Sequence, residues 1–172
     1  MTRGLRHPDM APALILLAIS MVTLAVVYAS QYIGGLQPCP LCLYQRWPWW
    51  GALALSGLAL LPVLSVNLRA LLLLVAGLGL LAGAGVAMYH VGVEQHWWPG
   101  PASCGSTGQI PTSFAQMQEL MQRPAASCDE PAWTLFGVSM AGYNAMLSIV
   151  VSAWALVTAA AVLLGKGNRR PR

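Results

Sequence analysis

Four long stretches of this 172-residue chain carry almost no charge: Ala11 to Tyr32, Trp49 to Val66, Leu68 to Val91 and Leu135 to Leu164. A helix crossing a hydrocarbon core needs about 20 consecutive apolar residues, and each run is of that order. The chain is 57% hydrophobic and only 8% charged, where a soluble domain carries about 25% charged residues. An ordinary water-facing surface is excluded. The sequence predicts an all-α membrane protein, a four-transmembrane-helix bundle forming one integral membrane domain over residues 1–172. Its spans are expected near 11–32, 45–65, 68–91 and 135–164, with outer loops near 33–44 and 92–133. Val27-Tyr28-Ala29 also resembles a signal-peptidase site behind basic Arg3 and Arg6. The apolar run is longer than the roughly 7–15 residues of a signal core, so the first span reads as retained.

Orientation follows from the basic residues. Arg3 and Arg6 precede the first span, Arg69 lies in the second connection, and Lys166, Arg169, Arg170 and Arg172 follow the last span. Seven of the nine basic residues thus share one side, which the positive-inside rule makes cytoplasmic. Both termini are expected there. The +4 net charge is a topology signal and does not point to nucleic acid. Trp47, Trp49, Trp50, Trp97, Trp98 and Trp133 fall near predicted outer ends, where amphipathic rings favour the headgroup level.

The connection from Ser65 to Leu68 is short enough to make the second and third spans an antiparallel hairpin. Gly79 and Gly83 form a G-x-x-x-G step, and Ala141 and Ala145 a comparable small step, both suited to close helix approach in lipid. Asn144, inside an apolar run, reads as an interhelical hydrogen-bonding residue. In the long outer loop Ser113 and Gln116 form a potential capping box, and Phe114, Met117, Leu120 and Met121 recur at helical spacing up to Pro124. A short amphipathic helix is expected there, lying on the membrane or against the outer end of the bundle.

All four cysteines, Cys39, Cys42, Cys104 and Cys128, fall on the predicted outer side. In an oxidising compartment they should form disulfides. A zinc site is a poor reading, because the second pair is not a C-x-x-C and oxidation opposes thiolate ligation; no metal is expected. Haem is equally poor, since only His90 lies near a span. Two inert staples remain an alternative. A C-x-x-C disulfide, however, closes a tiny loop and constrains the unfolded chain least, which suits a redox couple better. If the second helix begins near Leu41 to Leu43, Cys42 lies in its first turn, where free N–H groups stabilise a thiolate. Arg46 follows four residues later, on the same helical face. Pro48 offers a different start for that helix, as an N1 residue.

"CPLCLYQR", "YHVGVEQHWWPGPASC" and "CDEPAWTLFGVSMAGYNA" together resemble the disulfide bond formation protein B family over nearly the whole chain. That a DsbA–DsbB–quinone relay keeps the bacterial periplasm oxidising is a known property of that family and no deduction from these residues. The resemblance implies that Cys39 and Cys42 are the membrane-proximal redox pair, with Cys42 facing quinone. It implies that Cys104 and Cys128 are the loop pair, with Cys104 joining a partner cysteine, and that Arg46 and His90 serve the quinone site. A DsbA-like oxidase has a potential near about −120 mV, so its reoxidation by an ordinary dithiol would run uphill. A lipid-soluble acceptor, ubiquinone or menaquinone, is the expected cofactor.

The expected function is therefore a protein-disulfide:quinone oxidoreductase of the bacterial inner membrane, its cysteines on the periplasmic side and its partner a DsbA-like thioredoxin-fold oxidase. Two other readings stand beside it: a noncatalytic membrane scaffold with structural disulfides, and an oxidase dedicated to one specialised partner.

Overall fold

The structure is a computed structural model that describes residues 10–101, 104, 113–115, 118 and 127–165. Among these residues the fully described helices are α1 (Ala11–Tyr32), α2 (Pro40–Tyr44), α3 (Arg46–Ala59), α4 (Val66–Glu94) and α5 (Met140–Leu163). Strands β1 (Thr134–Leu135) and β2 (Val138–Ser139) precede α5. Three of the helices, α1, α4 and α5, are long and apolar enough to cross a membrane.

The second expected span differs from its prediction. Expected near 45–65, it is the 14-residue α3, which ends at Ala59 and is preceded across Gln45 by the 5-residue α2, and α3 alone is shorter than the about 20 residues a crossing requires. It ends at Ala59 because Pro62 follows, and a proline biases the residue before it away from helix. The turn is held from the far side: Ser65 caps α4 by accepting from the Leu68 N–H at 3.3 Å, and the buried Arg69 donates to the Leu61 carbonyl at 3.1 Å.

The fourth run also begins later than expected. Residues 134–139 form an antiparallel hairpin pairing Thr134 with Ser139 and Leu135 with Val138. Phe136 and Gly137 both have positive φ, 51° and 77°, the requirement of the tight turn that matches strand twist. Ser139 then caps α5, accepting from the Gly142 N–H at 3.1 Å.

Packing centres on α4, which lies along both α3 and α5, while α1 leans chiefly on α3 and touches α5 only slightly. The core joins Leu16 and Leu24 of α1, Trp49 and Ala52 of α3, Leu73, Ala76 and Leu80 of α4, and Val151 and Ala159 of α5. Of the glycine step, only Gly83 is a close approach: a Cβ there would meet the Pro48 ring at 2.6 Å, whereas Gly79 faces open space. Gly77 takes the other contact, against Leu156 and Ala155. Ala141 and Ala145 are both buried, as expected. The outward faces carry Val22, Leu78, Val150 and Val157, an apolar surface of the kind lipid covers.

Of the expected loop helix, Phe114, Ala115 and Gln118 are helical; the rest of it lies outside the described residues, as do both terminal basic clusters. A second small cluster, Cys39, Leu41, Val93, Cys104 and Cys128, sits at the end of α4.

Candidate functional site

The start of α2 sets the geometry of the first cysteine pair. Cys39 is the N-cap, with extended backbone (φ −73°, ψ 163°), and Pro40 occupies the first helical turn, where its missing N–H costs nothing. The Cys39 sulfur accepts from the Cys42 N–H at 3.1 Å. One turn of helix therefore brings both sulfurs to the same side, 2.7 Å apart, with the Cys39 thiol donating to Cys42. That hydrogen bond is the main reason the Cys42 thiol is held below its ordinary range; burial opposes the shift, as does the charge of Glu94, and Arg46 assists it. The same bond, with burial, pushes Cys39 far up. Of the two sulfurs, Cys42 is the one whose ionised form the surroundings favour, chiefly through the Cys39 hydrogen bond; the proline at the helix start is Pro40, and Pro48 lies inside α3.

Arg46 opens α3 after the bend at Gln45. Its Nη1 donates to the Gln31 side-chain oxygen at 2.6 Å, and its guanidinium carbon stands 5.0 Å over the Tyr28 ring. The residue is 9% exposed, and its Nε has no hydrogen-bond partner. Cys42 and Arg46 line one side of a cavity of ≈ 300 Å³ enclosed by α1, α3 and α5. Gln31, Gln45 and His90 also reach it, while Val22, Val26 and Leu147 make its walls apolar.

His90 sits near the end of α4. Its Nε2 lies 3.6 Å from the Cys39 sulfur and 3.8 Å from a Glu94 carboxylate oxygen. Its Nδ1 is 2.7 Å from the Gln45 side-chain nitrogen. The Gln45 oxygen accepts from the Asn144 amide at 2.7 Å, and the Asn144 oxygen accepts from the Trp49 indole at 2.8 Å. Asn144 thus joins α5 to α3, the interhelical role expected of it.

The loop cysteines form a disulfide, with Cα atoms 5.2 Å apart. The Cys128 N–H donates to the Cys104 carbonyl at 3.1 Å. Both residues are buried, Cys104 at 4% and Cys128 at 0% exposure. The Cys39 sulfur, the His90 ring nitrogen and the Cys128 sulfur all lie within 4.8 Å of one another. This trio is a poor metal centre as it stands, because the Cys128 sulfur is committed to Cys104 and is no thiolate ligand.

All six residues expected at the site are therefore neighbours, with a division of labour: Cys42, Arg46 and His90 meet the cavity, whereas Cys39 faces the loop disulfide. Sequence reasoning missed Gln31, Tyr28 and Gln45. Gln31 had a faint signal as an amide closing an apolar run; Gln45 stood beside Arg46 in the quoted motif with nothing to set it apart.

The sequence model described as "Disulfide bond formation protein DsbB" matches residues 10–158. The chain is 30% identical over 160 residues to Disulfide bond formation protein B of Haemophilus influenzae, covering 90% of this chain and 89% of that one. It is 32% identical over 155 residues to the protein of the same name from Herminiimonas arsenicoxydans, covering 86% and 94%. An uncharacterized protein of Rickettsia prowazekii is 33% identical over 140 residues, 79% of each chain. No solved structure matches significantly. With a C-x-x-C pair stacked on a loop disulfide among membrane-length helices, and a family match over most of its length, the chain belongs to the DsbB family of disulfide bond formation proteins.

Proposed function

We propose that the protein is a four-span thiol oxidase of the bacterial inner membrane, its cysteines periplasmic, that reoxidises a soluble DsbA-like partner and delivers the electrons to a membrane quinone. One observation carries the reading: Cys39 lies against the loop disulfide while Cys42, one helical turn away, opens into an apolar cavity. Two redox pairs in series need that order.

The exchanges balance as follows. A partner thiolate attacks Cys104, forming a mixed disulfide and releasing Cys128 as thiolate. Cys128 attacks Cys39 of an oxidised Cys39–Cys42 pair, breaking that bond and releasing Cys42. The partner's second thiol displaces Cys104, which attacks Cys128 and expels Cys39. The partner leaves oxidised, the loop disulfide is restored, and two electrons rest on Cys39 and Cys42.

The cavity suits a quinone. Its walls are apolar, and its polar end combines the Cys42 thiolate with a buried guanidinium whose Nε lacks a partner. When bound, a quinone supplies a two-electron acceptor that dissolves in lipid. Arg46 would hold a carbonyl oxygen with a permanent cation, and the walls would exclude water from the Cys42 sulfur.

The test mixes purified protein with a reduced thioredoxin-fold oxidase and a soluble quinone and follows quinone reduction. Turnover that disappears in Cys42→Ser is expected. No turnover with any partner would favour a scaffold with structural disulfides.

A further inference from the structure

We infer that Trp49, Asn144 and Gln45 form an orientation chain that fixes the tautomer of His90, so that its Nε2–H is held as a donor facing the Cys39 sulfur. The inference rests on the thiol relay proposed above for its catalytic consequence, though not for its structural content.

The chain starts at a group with no choice. An indole N–H can only donate, so the Trp49 partner, 2.8 Å away, must be the Asn144 oxygen. Ser148 adds a second donor to that same oxygen at 3.4 Å. A reversed Asn144 amide would set donors against donors. Its nitrogen therefore points at Gln45 and donates to the Gln45 oxygen at 2.7 Å. The Gln45 nitrogen is then the group facing His90 Nδ1 at 2.7 Å, and an amide N–H requires an acceptor there. Nδ1 must be bare. In a neutral imidazole the proton is then on Nε2, facing the Cys39 sulfur at 3.6 Å, within reach for sulfur; the Cys128 backbone also accepts from the His90 ring, and with Nδ1 taken by Gln45 that bond shares the same Nε2–H. The Glu94 oxygen, 3.8 Å from Nε2, is too far for an ordinary N–H···O bond.

Trp49, His90 and Gln45 are buried, at 2%, 3% and 6% exposure, and Asn144 is half-buried on the cavity wall, so bulk solvent has little access to these bonds. The charged or titratable groups around His90 are Glu94 on its own helix, Cys39 and Cys42 at α2, and Arg46 on α3. None of them is in hydrogen-bonding distance of Nδ1, where Gln45 already sits.

The consequence falls on one step. When Cys104 attacks Cys128, the sulfur expelled is Cys39, and it leaves with a negative charge. Two donors converge on it: the Cys42 N–H at 3.1 Å and the His90 Nε2–H. Donors fixed in advance on a developing charge lower its barrier without reorganising. His90 is here a hydrogen-bond donor and not an acid, because giving up its single proton would leave an imidazolate. Trp49, Asn144 and Gln45 touch no reacting atom and are positioning residues.

The primary test needs neither partner nor quinone. The chain has three histidines, so His7→Gln and His96→Gln leave one ring to observe. Long-range ¹H–¹⁵N correlation of the full-length protein in nanodiscs should give a protonated Nε2 and a bare Nδ1 at neutral pH. In Trp49→Phe the anchor is gone, and a mixture of tautomers is expected. A wild-type Nδ1–H form, or an imidazolium, overturns the inference; so does a single Nε2–H form that persists unchanged in Trp49→Phe. If that variant does not fold, the wild-type spectrum alone decides. The kinetic arm uses Gln45→Glu, which replaces the donor by an acceptor of the same shape. Acid-quenched peptide maps should show the Cys39–Cys128 linked form resolving about tenfold more slowly, while mixed-disulfide formation at Cys104 is unaffected. Resolution at the wild-type rate removes the catalytic consequence. Failure of the relay itself would appear differently, as no Cys39–Cys128 form in any variant with the Nε2–H spectrum intact.

Discussion

The Cys39 thiol donates to Cys42 across a single helical turn, and that bond, more than the nearby arginine, lowers the pKa of the Cys42 thiol. Since that bond lowers the Cys42 pKa from its ordinary value, alkylation of Cys42 in the reduced protein should begin at lower pH than for a free cysteine, with Cys39 inert until far higher pH. Cys39→Ala removes the largest cause and should move the Cys42 profile upward; pH-resolved iodoacetamide labelling with mass spectrometry reads both. Arg46 gives a second prediction at this scale. It combines a charge-assisted bond to Gln31, a stack over Tyr28 and a buried Nε–H without a partner, and lysine can reproduce the charge but not the planar fork. Arg46→Lys and Arg46→Gln should therefore raise the apparent quinone KM about tenfold or more, the scale of one charge-assisted hydrogen bond, and leave exchange between Cys104 and the partner intact. Steady-state kinetics beside a quinone-free single-turnover assay separates the two; unchanged KM in both variants returns Arg46 to the role of an interfacial anchor.

Gly83 and Gly79, four residues apart on α4, should respond in opposite ways. Gly83→Ala drives a methyl group into the rigid Pro48 ring at the α3–α4 contact and is expected to cost about 1–3 kcal/mol, as overpacking does. Gly79→Ala meets open space and should be neutral or gain up to about 1 kcal/mol of helix propensity. Denaturant unfolding in detergent micelles compares them. The sequence could present the two as one small-residue step but could not divide them, because the division depends on which face of α4 meets Pro48, 35 positions away by the numbering. The same limit governs the site. The cysteine spacing, Arg46 and the apolar runs are local patterns and were legible; so was Asn144, a lone amide among leucines and alanines. The Gln45–His90 and Asn144–Gln45 bonds join positions 45 and 99 residues apart, and the bend at Gln45 that aims this amide inward carries no local signal. The hairpin before α5 was hidden for another reason: Leu135, Phe136 and Val138 are apolar enough to read as the start of the span.

At the scale of the molecule, α3 rises about 21 Å over its 14 residues, against a core of about 30 Å, so whether the chain crosses four times turns on how α2 and the turn at Pro62 complete that passage. The asymmetry of basic residues predicts that it does: reporter fusions after Arg69 and after Arg172 should read as cytoplasmic and one at Thr107 as external, and an external C-terminus would sink the four-span topology. The loop pair gives a second prediction. Cys128→Ser leaves Cys104 without its resolving neighbour, so a mixed disulfide with the soluble partner should accumulate as a larger band on nonreducing gels; no adduct while Cys104 still reacts with alkylating agents would move the attack point elsewhere. The seat of the loop disulfide adds a matter of traffic. With Cys104 at 4% and Cys128 at 0% exposure, a thiolate arriving from solution has little access to either sulfur. On the proposed relay the molecule behaves as a turnstile: a partner must dock and shift the local cover before its thiolate can reach Cys104, so recognition comes ahead of chemistry.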